Sequence, residues 1–179
     1  MVYIERSDFI MKLFDLIFVC SILFAGGCRT ADLPEAVKNV DISRYCGRWY
    51  EVARLPNWFE DGLTNVTADY SLAGKNRIKV VNRGWKDGKI KEVTGWARPA
   101  GKGGDGNLEV SFFRPFYSPY VIIKLAPDYS YSVVSGEGKE YLWILSRTPA
   151  LPSDVMDEIL DFLRANGYDT SRLIRVTGV

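Results

Sequence analysis

RWYEVAR (48–54), NVTADYSL (65–72), RIKVVNRGW (77–85), IKEVTGWAR (90–98), NLEVSFF (107–113), YVIIKLA (120–126), YSYSVVS (129–135) and EYLWILSR (140–147) are eight short runs rich in aromatic and β-branched residues, and together they decide the fold. Between them stand AGKN, KDGK, PAGKGGDG, RPFYSP, APD and GEGK, all turn or loop chemistry. Eight consecutive strands with hairpin-length connections predict an all-β, eight-stranded antiparallel up-and-down barrel, the closure that leaves no exposed sheet edge. Such a barrel either fills its interior with side chains or holds one small ligand. One connection stands apart. Residues 55–64, LPNWFEDGLT, are long and carry Trp58 and Phe59, which a solvated loop does not need.

A single helix is expected after the strands. Pro152 suits its first turn, and Asp154, Asp157 and Glu158 lie near the positive end of the helix dipole. Val155, Ile159 and Phe162, flanked by Met156, Leu160 and Leu163, make an apolar stripe, and Asn166-Gly167 ends it. The polar face is acidic, so the stripe is expected against the barrel wall rather than on a membrane surface. RLIRV (172–176) reads as a short final strand.

Upstream, LIFVCSILFAGGC (16–28) is an apolar run closed by two glycines and a cysteine, the pattern of a bacterial lipoprotein signal. It is too short to span a bilayer as a helix. Cleavage before Cys28 would leave that residue with a diacylglycerol thioether and a fatty-acylated (palmitate-type) amine. Asp15 and Ala25 depart from the usual pattern, and the alternative is an ordinary signal peptide or a mildly apolar N-terminus. Either Met1 or Met11 can serve as the start. Arg29, where Asp would retain a lipoprotein, points to the outer membrane. The expected division is a signal peptide over 1–27, a lipidated tether over 28–40, and a barrel domain with its helix over 41–179.

Composition removes whole classes of function. With 23 basic and 22 acidic residues the chain has no footprint for nucleic acid. Histidine is absent, which excludes a His-dependent catalytic pair and the commonest transition-metal ligand. No metal and no cofactor are expected. Of three cysteines, Cys20 lies in the signal and Cys28 would be acylated, so Cys46 is left without a disulfide partner. It reads as a small buried residue rather than a nucleophile.

Gly47-Arg48-Trp49-Tyr50 opening the first strand, SFFRPFY (111–117), YLWILSRTP (141–149) and the order of eight strands, helix and short strand resemble the lipocalin family, and most of all its bacterial outer-membrane lipoproteins. The resemblance runs from about Val40 to Val176. It implies that Gly47, Trp49 and Arg147 form the closed floor of the barrel, with the Arg147 guanidinium packed across the Trp49 indole. The family's middle motif, Thr-Asp-Tyr, is altered here to Pro127-Asp128-Tyr129. The resemblance further implies a small hydrophobic ligand, a fatty acid or lysophospholipid, inside the barrel, and a membrane partner through the N-terminal lipid.

If the first strand starts at the floor, the first, third, fifth and seventh connections form the mouth. They contain Trp58-Phe59, Trp85, Phe116-Tyr117 and the plain GEGK turn. Such a rim suits passage of an acyl chain, or a homodimer that buries the rims against each other; the bland alternative is that these rings pack the first loop over the barrel. Alternation from Trp49 puts Glu51 and Ala53 on the inner face. Gly95 and Ala97 are small and leave volume, and Leu108, Val110 and Phe112 line the next wall. Tyr120, Ile122 and Tyr131 complete the candidate ligand-binding set, although parity on the last strands allows either face. Glu51 in an apolar cavity would titrate upward, or hydrogen-bond a tyrosine, and receive a polar ligand group, or else serve as a paired structural carboxylate. Arg54, Lys86 and Arg114 are candidates for head-group selectivity.

The expected function is lipid binding, storage or transport in an envelope-anchored barrel. The alternative is a structural envelope lipoprotein that docks a protein through its aromatic rim. Enzyme activity is not expected: some lipocalins isomerise lipids with a cavity cysteine, but Cys46 precedes the first strand.

Overall fold

The computed structural model describes residues 33–101 and 104–176; the expected signal segment and Cys28 lie outside them. Nine strands follow a short helix. The strands are β1 (Gly47–Arg54), β2 (Thr64–Leu72), β3 (Ile78–Lys86), β4 (Lys89–Pro99), β5 (Asn107–Phe113), β6 (Phe116–Leu125), β7 (Tyr131–Ser135), β8 (Leu142–Ser146) and β9 (Ile174–Arg175). Each of β1 to β7 pairs antiparallel with the next, and β8 pairs back onto β1, so the barrel closes. The short final strand β9 pairs with the mouth end of β1.

Helix α1 (Ile42–Tyr45), absent from the sequence reading, crosses the floor. The Asp41 carboxylate caps it by accepting from the Ser43 and Arg44 amides. Gly47 then takes φ 103°, a conformation open to glycine, and a Cβ there would stand 3.2 Å from Arg147 Nη1. Both facts explain why a glycine begins β1.

Two apolar cores lie on the two faces of the sheet. The inner one holds Trp49, Tyr70, Ile78, Val80, Leu108 and Ile122 among others. The outer one lies between β1, β6, β7, β8 and helix α2 (Ser153–Ala165). Its buried stripe is Met156, Ile159 and Leu163, one position round from the expected Val155–Ile159–Phe162; Val155, Leu160 and Phe162 pack at its margins. Each fully buried side chain contributes roughly 1.5–3 kcal/mol to docking. Pro152 precedes the first turn as expected, and Gly167 at φ 76° follows the last.

Residues 33–40, expected within the tether, are partly built into the barrel. Val37 donates its amide to the Ile122 carbonyl and accepts from the Gly106 amide, and the Val40 amide bonds the Gly104 carbonyl. Val37 and Val40 pack on the inner core and Ala36 on the outer one. This stretch fills the gap beside β6 where β5 begins.

Candidate functional site at the barrel mouth

The lumen has two halves of different character. Toward the floor it is filled. Trp49 is fully buried and its indole N–H donates to the Tyr45 carbonyl at 2.8 Å. The Arg147 guanidinium carbon lies 3.7 Å from the Trp49 ring centroid, which is the packing the resemblance implies. The same guanidinium donates to the carbonyls of Arg44, Tyr45, Cys46, Arg48 and Tyr129, so it ties α1, β1 and the turn before β7 together. Above it the Tyr120 hydroxyl shares hydrogen bonds with Tyr45 at 2.8 Å and Tyr70 at 3.0 Å, and Tyr45 also reaches Ser132. Burial pushes the Tyr45 hydroxyl up to about 12 and those of Tyr70 and Tyr120 well above the ordinary range, so all three stay neutral donors.

Toward the mouth the inner wall stays accessible. By register, Asn82 opposes Ala68 and Val93, and Val110 opposes Ala97 and Ser118, all on the inner face. Asn82, Val93 and Val110 are half-buried, while Ser118 and Phe112 are exposed. The Phe112 ring lies over the inner face of Gly95, where a Cβ would come within 2.6 Å of it. The Asn82 side-chain oxygen is buried without a hydrogen-bond partner. Sequence reading missed Asn82; its signal was a polar residue at an inward parity position of β3.

A buried ionic network closes the opposite side. Arg54 Nη1 donates to the Glu51 carboxylate at 2.7 Å, and Nη2 donates to the Glu60 and Leu63 carbonyls. The Glu60 carboxylate accepts from the Trp143 indole at 2.9 Å and from the Asn57 amide. Loop 55–63 is thereby stapled between β1, β2 and β8. Burial first, and then the Glu60 charge, push the Glu51 carboxyl up to about 8, with Arg54 opposing them. Glu51 is therefore both of the things expected of it, a paired carboxylate and one that titrates upward.

Several expected ligand contacts fall elsewhere. Ala53 lies outside, under α2, because the ladder with β8 shifts between Glu51 and Ala53; the extra residue, Val52, reverses the alternation and turns Arg54 inward. Tyr131 also faces out, its hydroxyl directed at Glu158 of α2. Tyr117 lies on the outer wall beneath Arg98, at 4.0 Å. Ala97, Leu108, Tyr120 and Ile122 face inward but belong to the packed floor. Glu51, Gly95, Val110 and Phe112 remain inward near the opening. Trp58, Phe59 and Phe116 stand at the rim, where Phe59 stacks on Tyr141 and packs beside Trp143. Of the basic candidates, Arg54 is buried in the network, Lys86 bonds the Asp61 carbonyl, and Arg114 leans over Trp96 outside. Cys46 lies at the floor, and burial pushes its thiol up, away from the reactive thiolate. Among the described residues no cluster of His, Cys, Asp or Glu could hold a metal ion.

Residues 40–178 match the lipocalin-like domain family. The outer membrane lipoprotein Blc of Vibrio cholerae is 44% identical over 166 residues, covering 89% of this chain and 95% of that protein. The Blc protein of Escherichia coli is 38% identical over 172 residues, covering 93% and 97%. Their shared name agrees with the outer-membrane address read from the N-terminus. Among solved structures, insecticyanin from Manduca sexta superposes with a TM-score of 0.68 at 23% identity, covering 87% of this chain and 88% of that one. Barrel, sealed floor and relatives lead to one conclusion: the chain belongs to the lipocalin family, whose barrels bind small hydrophobic molecules.

Proposed function

We propose that this protein binds and carries lipids with a single long acyl chain, fatty acids or lysophospholipids, while tethered to the outer membrane through Cys28. The observation that carries this reading is the two-part lumen. A packed tyrosine floor limits depth, and the inner wall above it, at Asn82, Val93, Val110 and Phe112, stays accessible. Each methylene removed from water contributes roughly 0.8 kcal/mol, so an acyl chain needs few polar contacts to be held. The Asn82 carboxamide oxygen and the protonated Glu51 carboxyl are the polar groups that would meet a head group or its glycerol hydroxyl.

The test is native mass spectrometry of protein purified without detergent, followed by titration with a fluorescent fatty acid. Co-purified lipid and saturable uptake are expected. Val93→Trp, placed on the accessible wall, should lower uptake at least about tenfold with little loss of stability. A protein that takes up no fatty acid or lysophospholipid refutes the reading. For the anchor, acyl labelling should be present in the wild type and absent in Cys28→Ala.

A further inference from the structure

We propose that the barrel mouth docks against an anionic lipid surface, with the β3–β4 and β5–β6 hairpin tips seated at the head-group level. This goes beyond ligand binding in the lumen.

The first observation is an asymmetry. Nine large apolar side chains are exposed among the described residues, and only Leu72 lies at the floor. Leu33 lies on the wall; the rest lie at the mouth end, with Trp85, Ile90, Phe113 and Phe116 on the two hairpin tips and Trp58 on the first loop. Trp85 opposes Ile90 across one tip, and Phe113 stacks on Phe116 across the other, at 6.2 Å. Aromatic rings at two neighbouring tips suit the amphipathic boundary of a bilayer better than water.

The second observation is charge. Lys86, Lys89, Lys91 and Arg114 stand beside those rings. The acids there are Asp61, Asp87 and Glu92; Lys86 donates to the Asp61 backbone carbonyl, and Glu92 is engaged by Arg83 at 2.7 Å. The hairpin tips are thus locally basic in a chain that is nearly neutral overall. Long basic side chains around exposed rings fit anionic head groups.

The experiment uses the full chain with vesicles of phosphatidylcholine, with or without phosphatidylglycerol, containing brominated acyl chains that quench nearby tryptophan. Quenching is expected to be at least about threefold stronger with phosphatidylglycerol and to weaken between roughly 0.1 M and 0.5 M salt. Trp85→Phe should remove most of it, and Trp96→Phe, on the outer wall, should not. Replacing Lys86, Lys89 and Arg114 together by Glu should abolish the preference for phosphatidylglycerol. The proposal is overturned if the wild type shows no quenching, or if Trp85→Phe leaves it unchanged. It is equally overturned if Trp85 is shielded only in a concentration-dependent dimer or a complex with another protein. Fatty-acid uptake is measured on the same samples. Uptake without quenching sinks the docking surface alone, and quenching without uptake sinks the lipid-carrier reading alone.

Discussion

Replacing Glu51 by Gln changes how the stability of this barrel depends on pH. The wild-type carboxyl is buried between Arg54 and Glu60, and its pKa is pushed up to about 8 from 4.5, first by burial and then by the Glu60 charge. Between those values the folded chain keeps a proton that the unfolded chain has released. The free energy of unfolding therefore falls as pH rises, by about 1.4 kcal/mol per pH unit from this group. Across the whole window the loss is about 3–5 kcal/mol. Glutamine keeps the shape and neutrality of the protonated acid and still accepts from Arg54, so this contribution to the slope disappears. Urea unfolding, followed by tryptophan fluorescence from about pH 4 to about pH 9, reads the effect as variant stability minus wild-type stability. That difference should lie within about 1 kcal/mol of zero at pH 4, climb through the window, and level off above pH 8. Comparing the two proteins cancels the titration of every group that does not interact with Glu51. A difference that stays flat, or that moves against the variant as pH rises, refutes the reasoning.

Three further outcomes follow from the packing. Arg147→Ala removes the stack on Trp49 and the donors to five carbonyls at the floor, and should cost about 2–4 kcal/mol; Lys, which has no planar fork, should restore less than half. A loss under about 1 kcal/mol by urea unfolding would contradict the sealing role. Gly95→Val places a side chain against the Phe112 ring and the Ser111 carbonyl, and should destabilise by about 1–3 kcal/mol while weakening fatty-acid uptake. Unchanged uptake would show that Phe112 does not border the ligand. Tyr120→Phe leaves the Tyr45 and Tyr70 hydroxyls short of a partner in the floor and should cost about 1–3 kcal/mol, with uptake retained, as thermal unfolding and titration together would show.

Much of the architecture was legible because barrel strands announce themselves locally. The runs from Gly47 to Arg147 alternate with glycine-rich turns, and hairpin-length links leave adjacent strands little choice but to pair antiparallel. The helix was legible for the same reason, since Ile159 and its neighbours carry a helical period. Less was legible between 114 and 119. RPFYSP reads as a loop, yet β6 starts at Phe116 and the turn is confined to Arg114-Pro115. The first residues of the domain were also misread. Nothing local in 33–40 shows that Val37 will complete the ladder beside Ile122, because that partner lies 85 residues away.

The sequence by itself determined a closed eight-stranded barrel with an outer helix and an aromatic mouth, and its resemblance to lipocalins implied a floor made by Gly47, Trp49 and Arg147. It also determined what the chain lacks for histidine chemistry. Which side chains face the lumen was decided only by the tertiary structure. Alternation predicts facing as long as the ladder is regular, and β1, β2, β5 and β6 each contain a register shift that reverses it. A bulge is a compromise among twist, curvature and the pairing of two neighbouring strands, so no single strand encodes it. That is why Ala53 turned out to lie under the helix and Arg54, one residue on, inside the barrel. The same holds for residues 33–40, whose place beside β6 exists only once β5, β6 and α2 are in place.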